Sequence, residues 1–295
     1  MITVFTPTYN RAYILPNLYE SLKRQSYKIF EWIIIDDGST DNTESLVKEW
    51  IKEENFFSIT YKKTANKGKH CAINRGVDIA EGELFFIVDS DDFLSDNALE
   101  RIVFWENTIK TKDLFVGVSG NRSYFDGTLI GTTFNLNNKY LDCTHIEREK
   151  YNINGDKAEV YYTKILKKYP FPEFENENFC CEALVWSRIA RDGYKVRYFN
   201  ESIYFTEYRD DGLTKNILKK YRENPKGTIL FYKEAAISQK NNFKRFLKDG
   251  SFYYLYGVFQ GYGLKELQKN LEINKIESFL LYILSLIRKY IKKQL

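Results

Sequence analysis

The stretch "LFFIVDSDD", Leu84 to Asp92, passes from continuous apolar residues directly into three carboxylates. An uninterrupted apolar run is typical of a strand that is covered on both faces, as in a parallel sheet. Carboxylates without a partner resist removal from water. Either a divalent cation binds them, because Mg2+ and Mn2+ prefer oxygen ligands, or they form an acidic turn that caps the helix beginning in "SDNALERIVFW".

Strands and helices alternate around this stretch. The segments "ITVFTPTYN", "FEWIIIDDGS" and "FSITYKK" are predicted as strands, and "ILPNLYESLKRQS" and "TESLVKEWIKEE" as the helices between them. Single helices between apolar strands are the pattern of a doubly wound parallel sheet. Ligands of such sheets bind beyond the carboxyl ends of the strands, where "TPTYN", "DDGS" and "DSDD" lie. We therefore predict an α/β fold with a ligand site at this edge.

The composition limits the class of protein. The 295 residues are 43% hydrophobic and 17% aromatic with a net charge of +4, which predicts a globular core and disfavours a nucleic-acid binder that relies on bulk charge. Four cysteines without CxxC spacing and two histidines disfavour a zinc site. No secretory leader and no apolar run of roughly 20 residues are present, so we expect a cytoplasmic protein without a membrane span.

Four motifs in order resemble the family-two glycosyltransferases of the GT-A fold: "VFTPTYNR", "WIIIDDGSTDNT", "NKGKHCAINRGVDIAEGE" and "FFIVDSDD". The resemblance implies a GT-A (Rossmann-like) central, mostly parallel sheet flanked by helices, with a helical C-terminal extension. The expected catalytic domain covers residues 1–215, with a nucleotide-binding half at 1–110 and an acceptor half at 111–215. The extension covers residues 216–295.

The resemblance implies a set of nucleotide-binding residues. The first loop, with Pro7, Thr8 and Tyr9, is expected to cradle the base, although the Tyr9 ring also fits a core position. Asp37 matches the acid that contacts the base or ribose. Its alternative role, shared with Asp36, is to cap the next helix.

A basic residue near the nucleotide is also implied. Lys67 and Lys69 both match, and Lys69 is taken as the candidate, with solvated lysines as the alternative. The segment "TEYRDDGLT" resembles one that closes over the diphosphate, which implies that Arg209 pairs with phosphate oxygens. A helix-capping turn is the alternative there.

The "DSD" of Asp89, Ser90 and Asp91 resembles the DxD element of the family. The resemblance implies that Asp91 binds Mn2+ or Mg2+ directly, with Asp89 and Ser90 counted among the nucleotide-binding residues. Asp89 would contact the ribose or a metal-bound water, and Asp92 would assist from nearby. The ion would neutralise the diphosphate as it departs.

A catalytic base is implied by "CEALVWSRI", which aligns with a family motif close to EDxxLxxRL. Glu182 takes the place of the second acid, whereas Cys181 replaces the first. The surrounding "FCCEALVW" is too apolar for an ordinary exposed turn, so we expect a half-buried carboxylate, as suits a general base. Glu175 and Glu177 remain alternative bases, and an ordinary surface glutamate remains the plain alternative for Glu182.

The implied function is metal-dependent, inverting transfer of a hexosyl or N-acetylhexosaminyl group from a nucleotide-diphosphate sugar, taken as a UDP-sugar. The acceptor is a hydroxyl of a glycan or lipid-linked saccharide in surface polysaccharide synthesis. Two alternatives stay open: a catalytically silent nucleotide-sugar-binding or scaffold protein on the same fold, and a nucleotidyltransferase. The second lacks the glycine-rich phosphate loop usual for that class.

The carboxyl-terminal tail "INKIESFLLYILSLIRKYIKKQL" combines an apolar cluster with basic residues that follow it. Such a helix can lie in a membrane surface, at the inner face of the cell membrane, where anionic headgroups attract the cations. The same apolar face can instead pack on the catalytic domain or on a second subunit. The sequence leaves all three open.

Overall fold

The computed structural model describes residues 1–135, 137–207 and 216–292 of the chain. Within these residues the strands are β1 (Ile2–Thr8), β2 (Phe30–Asp36), β3 (Ser58–Lys63), β4 (Leu84–Ile87), β5 (Phe93–Leu94), β6 (Phe115–Tyr124), β7 (Leu141–Cys143), β8 (Lys157–Tyr162) and β9 (Lys195–Thr206). The helices are α1 (Leu15–Lys23), α2 (Thr43–Trp50), α3 (Lys69–Ile79), α4 (Ala98–Glu106), α5 (Thr163–Leu166), α6 (Ala183–Arg191), α7 (Ile217–Glu223), α8 (Pro225–Ser238), α9 (Phe243–Phe259), α10 (Leu264–Leu271) and α11 (Lys275–Lys292). Two short 3-10 helices cover Lys112–Leu114 and His145–Tyr151.

The strands form one mixed sheet in the order β3-β2-β1-β4-β8-β6-β9-β5, with β7 paired to β9. The first four strands along the chain run parallel, as the alternation of strands and helices predicts. The remaining strands bring antiparallel pairs, among them β4 with β8 and β6 with β8. The predicted α/β class with a largely parallel central sheet flanked by helices is confirmed, with this antiparallel portion on one side of β4.

Burial explains why the central strands are apolar throughout. Every residue of β1, β2 and β4 is buried, which requires cover on both faces. Helix α1 contributes such cover through residues spaced three and four apart, including Leu15, Leu18 and Leu22. The parallel register places Thr8 opposite Asp36, so the polar segments that follow β1 and β2 emerge side by side.

A buried carboxylate fixes the entry to β4. Glu31 Oε1 accepts hydrogen bonds from the Thr3 hydroxyl at 2.5 Å and from the amides of Glu81 and Gly82 at 2.8 and 3.1 Å. Gly82 lies so close to β1 that a Cβ there would be 2.4 Å from the Thr3 amide nitrogen. This position therefore requires glycine, because the obstructing atom belongs to the backbone.

Two compact units divide the chain, Met1–Pro170 with Arg188–Arg209 and Phe171–Ser187 with Asp210–Leu295. The sheet belongs entirely to the first unit. The second unit takes in residues 171–187 as well as the C-terminal helices, whereas the sequence-based boundary lies at 215. The domain boundaries given above thus stay a prediction, with this difference for residues 171–187.

The second unit has its own helical core. Helices α8, α9, α10 and α11 enclose Phe246, Tyr253, Tyr254, Leu267 and Leu281, all buried. Gly250 on α9 gives room for Leu281 of α11, because a Cβ there would approach the leucine side chain to 2.8 Å. No described helix has the length and apolarity needed to cross a membrane.

We expect Gly82→Ala to destabilise the protein by about 1–3 kcal/mol, the usual cost of forcing atoms into a packed site. Urea denaturation monitored by circular dichroism measures this. Gly263→Ala is the matched control, because its Cβ would meet no atom within 4 Å and its φ of −70° suits any residue. The control should change stability by less than about 0.5 kcal/mol. Equal stability of the two variants would contradict the assigned packing of Gly82.

Candidate functional site

The loops that follow β1 and β2 are joined by direct hydrogen bonds. Asn10, which has a positive φ of 54°, accepts the Thr40 amide on its side-chain oxygen at 2.7 Å. Its own amide donates to Ser39 Oγ at 2.8 Å, and the Ala12 amide donates to Asp41 Oδ2 at 3.0 Å. The two loops therefore form one connected surface at the carboxyl edge of the sheet.

The three residues predicted to cradle the base have different exposures. Pro7 and Thr8 end β1 and are buried. The Thr8 hydroxyl oxygen finds no hydrogen-bond partner among the described residues. Tyr9 is 46% exposed, so the alternative that its ring belongs to the core is wrong. Its ring is accessible for stacking.

Asp36 holds the turn after β2. Its carboxylate accepts the Ser39 amide at 2.7 Å and the Tyr61 hydroxyl at 2.5 Å. Helix α2 begins after Asn42, so neither Asp36 nor Asp37 caps it, and that alternative is wrong.

Asp37 is buried and ties the end of β2 to the loop before α3. Its two oxygens accept the amides of Lys67 at 2.8 Å and Gly68 at 2.7 Å. Burial raises the pKa of Asp37, whereas these two donors oppose the rise. Each carboxylate oxygen has a second lone pair, so the group retains acceptor capacity for a ligand.

Asp89 lies between two cations. Lys69, the first residue of α3, places Nζ 2.7 Å from Asp89 Oδ1, and Arg122 of β6 places Nη1 3.9 Å from Oδ2. Burial acts to raise the pKa of Asp89, but the charges of Lys69 and Arg122 outweigh it and hold this pKa below its usual value. The Lys67 side chain is exposed, so Lys69 is the lysine that the fold brings to the carboxylates.

The neighbouring acids have different partners. Asp91 is partly exposed and lies 3.9 Å from Nε of Arg11. Asp92 is buried and accepts the Tyr204 hydroxyl at 2.6 Å, while the same phenol oxygen accepts the Asp89 amide at 2.9 Å. Burial raises the pKa of Asp92 to about 7, and repulsion from Asp89 adds to the rise.

These six side chains form what we call the carboxylate–cation cluster: Arg11, Lys69, Asp89, Asp91, Asp92 and Arg122. Ser90 lies within the same turn and is buried. The acids do not cap the following helix, because β5 intervenes and α4 begins after Asn97. That alternative is therefore wrong. The Tyr9 loop and the acids of the cluster follow the carboxyl ends of β1 and β4, which are neighbouring parallel strands, so they emerge at the same edge of the sheet.

The donor set of the cluster fits a divalent cation shared with a ligand. Among the described residues, no three His, Cys, Asp or Glu side chains are arranged to hold a metal ion by themselves. Mg2+ bound to a phosphate ligand needs only one or two carboxylates, with phosphate and water oxygens completing its coordination. The side chains of Asp91 and Asp89 are 21% and 25% exposed and supply hard oxygen donors.

The candidate base lies in the second unit. Glu182 directly precedes α6 and is partly buried, and its carbonyl accepts the amides of Val185 and Trp186. Among the alternative bases, Glu177 accepts the amides of Lys226 and Gly227 at 2.6 and 2.9 Å. Both of its oxygens thus hold the start of α8.

The other residues of the predicted set are placed as follows. Glu175 is exposed, and Arg209 lies outside the described residues. Sequence reasoning did not assign Arg11, Arg122 or Tyr204. Arg11 stands within the quoted "TPTYNR" and was open to assignment, whereas the other two lie on strands far along the chain without a recognisable motif.

The chain is similar in sequence to known bacterial proteins and matches one family model. The family model for "Glycosyl transferase family 2" matches residues 3–169. The chain is 26% identical over 221 residues to glycosyltransferase GlyG of Streptococcus pneumoniae, covering 72% of each chain. It is 25% identical over 261 residues to a GalNAc(5)-diNAcBac-PP-undecaprenol beta-1,3-glucosyltransferase of Campylobacter jejuni, covering 83% of this chain and 78% of that one.

Solved structures share the fold. S. aureus TarS 1-349 in complex with UDP-GlcNAc superposes with a TM-score of 0.64 at 18% identity, covering 96% of this chain and 79% of that chain. The mannosyltransferase PcManGT of Pyrobaculum calidifontis, in complex with GDP-Man and Mn2+, gives a TM-score of 0.57 at 17% identity, covering 97% and 86%. The GT-A fold implied by the sequence motifs is thereby confirmed.

We expect Tyr204→Phe to destabilise the protein by about 1–3 kcal/mol, because the change leaves the buried Asp92 carboxylate and the Asp89 amide without their shared partner. Tyr198→Phe on the same strand is the control. Its hydroxyl is buried and finds no hydrogen-bond partner among the described residues, so its removal should be neutral or stabilising. Chemical denaturation compares them, and an equal effect would mean that the Tyr204 hydroxyl does not support the acids.

Proposed function

The chain belongs to glycosyl transferase family 2, and we propose on that basis that it is an inverting, metal-dependent enzyme that transfers a sugar from a UDP-sugar to a hydroxyl of a glycan or lipid-linked saccharide. The observation that carries the proposal is the carboxylate–cation cluster at the carboxyl edge of the sheet. Asp89 between Lys69 and Arg122, with Asp91 beside Arg11, provides both charges that a diphosphate with its metal ion requires.

The donor would bind across this edge. The exposed Tyr9 ring would stack on the base, and Asp37 would accept a hydrogen bond from the base or ribose with its remaining lone pairs. Lys69 and Arg209 would meet the diphosphate, with Asp89 and Ser90 beside the ribose and phosphates. The bound UDP-GlcNAc of TarS and the bound GDP-Man of PcManGT support a nucleotide sugar as the ligand.

Asp91 would hold a Mn2+ or Mg2+ ion, with Asp89 close by. When bound, such an ion neutralises the negative charge that grows on the leaving diphosphate. The Mn2+ in the PcManGT complex supports this choice. Fixed positive charge around the same diphosphate oxygens would come from Lys69, Arg122 and Arg11. This positive charge would lower the free energy of the negative charge that develops on the leaving diphosphate.

Glu182 would act as the general base. As the acceptor oxygen bonds to the anomeric carbon, its proton passes to the Glu182 carboxylate, and the bond from that carbon to the diphosphate oxygen breaks with its electron pair on the diphosphate. Attack opposite the leaving group inverts the anomeric configuration. The partial burial of Glu182 supports the role, because it limits the contact of this residue with bulk water.

The transferred group would be a hexosyl or N-acetylhexosaminyl unit, and the pathway surface polysaccharide synthesis in the cytoplasm. The glucosyltransferase of Campylobacter jejuni, whose name specifies an undecaprenol-linked acceptor, supports a lipid-linked saccharide. A screen of sugar nucleotides for Mn2+-dependent hydrolysis and thermal stabilisation tests the donor. Stabilisation without any turnover would favour the catalytically silent alternative, to which the cysteine at 181 also points. Release of pyrophosphate from a nucleoside triphosphate would favour a nucleotidyltransferase.

Asp91→Asn is expected to abolish Mn2+-dependent turnover while leaving the fold intact, because one lost ligand charge removes much of the neutralisation of the diphosphate. Turnover of the best donor with chelator-controlled metal concentrations measures the effect. Asp113→Asn, at an exposed position of the same unit, is the control and should retain full activity. A largely active Asp91→Asn enzyme would refute the assigned metal ligand.

Glu182→Gln is expected to bind the donor as tightly as the parent but to transfer sugar at least about 100-fold more slowly, the usual scale for a lost general base. Donor affinity by calorimetry and transfer rate by product release separate the two effects. Glu175→Gln, an exposed glutamate of the same unit, is the control. If the rate falls in the control and not in Glu182→Gln, the base is Glu175.

A further inference from the structure

Helix α11 exposes a continuous apolar face. Six large apolar residues are between 37% and 81% exposed: Ile276, Phe279, Ile283, Leu286, Ile287 and Tyr290. At 3.6 residues per turn they share an arc of about 100°. We call this set the outer face of α11. An apolar stripe of this width is normally covered by a partner in water.

The opposite face of the same helix already packs within the second unit. Leu281 fills the space above Gly250, the Ser278 hydroxyl bonds to that of Tyr254 at 2.6 Å, and Arg288 Nε donates to Ser251 Oγ at 2.6 Å. The fold of the unit therefore uses one side of α11 and leaves the outer face as a second apolar side.

A further exposed aromatic residue lies beside α11. Phe259, at the end of α9, is 63% exposed, and Lys289 Nζ lies 5.2 Å from the centroid of its ring. The charge of Lys289 thus lies beside an exposed aromatic ring. This arrangement is typical of surfaces that meet a lipid headgroup layer, where the stem lies along apolar atoms and the charge reaches the headgroups.

Charge is divided unequally along the chain. Residues 216–295 carry sixteen lysines and arginines against six aspartates and glutamates, whereas residues 1–215 carry twenty-eight against thirty-four. Two copies that met through α11 would bring two strongly basic segments together, and like charges repel. An anionic bilayer attracts the same segment, at about 1 kcal/mol for each cation near its surface.

We propose that the outer face of α11, with Phe259, docks this protein on an anionic lipid bilayer. The helix lies in the plane of the interface, with the apolar residues at the depth of the upper acyl chains and Lys275 and Lys289 among the headgroups. The inference goes beyond the proposed function, because it concerns the surface at which the protein works and not the sugar that it transfers.

Vesicle sedimentation tests the proposal with two matched double variants of the full chain. Phe279→Glu with Ile283→Glu alters the outer face. Phe104→Glu with Ile29→Glu replaces the same two residue types at sites that are 54% and 62% exposed in the first unit, with the same change in net charge. A difference in vesicle binding between the two double variants is therefore due to the position of the substitutions and not to the change in net charge.

The parent should bind phosphatidylglycerol-containing vesicles and lose binding on vesicles of phosphatidylcholine alone. The outer-face variant should bind at least about tenfold more weakly, because two large apolar groups no longer leave water, whereas the control should bind nearly as the parent does. Higher salt should weaken the binding of the parent.

Three results would overturn the proposal. The first is absence of parent binding to anionic vesicles at low salt, and the second is equal binding by both variants. The third takes one of two forms. Either the parent is a dimer in analytical ultracentrifugation and the outer-face variant, but not the control, is a monomer, or the outer-face variant alone loses helical circular dichroism. Either form of the third result would show that protein covers this face.

Discussion

The structure depends on the electrostatic neutralisation of Asp89. Strand β4 is buried on both faces, and an ionised carboxylate at its end would be costly to remove from water without an opposite charge nearby. Lys69 lies at the start of α3 and Arg122 on β6, so the carboxylate joins a helix and a strand that are distant from each other in sequence. The positions of α3 and β6 are therefore both coupled to Asp89, which is also a residue that we assign to donor binding.

The same cations would serve a second partner when the donor binds. In the chain without ligand, Lys69, Arg122 and Arg11 pair with the acids. The negative phosphate oxygens of the donor would pair with the same three cations. A metal ion on Asp91 would keep the local charge balanced during this exchange. Asp92 differs from its neighbours, because burial and repulsion from Asp89 raise its pKa to about 7 and Tyr204 holds its carboxyl group.

Charge is distributed differently in the sheet unit and in the C-terminal segment. The sheet unit balances acids and bases at close range, as at Asp89. The C-terminal segment has an uncompensated positive charge beside an apolar helix face, which favours an extended anionic surface over a small ligand. A transferase that acts on a lipid-linked acceptor would gain from this arrangement, because enzyme and acceptor would share one surface.

The sequence by itself determined the parallel strands, the edge of the sheet at which the polar strand ends gather and the run of acids that follows β4. It could do so because apolar runs and polar strand ends are local features, and parallel strands place their carboxyl ends together. It matched both Lys67 and Lys69, took Lys69 as the candidate without a contact to support the choice, and did not assign Arg122 or Tyr204. Only the tertiary structure decided these, since Tyr204 meets the Asp89 amide across 115 residues of chain and the partner of a buried charge depends on which distant strands pair.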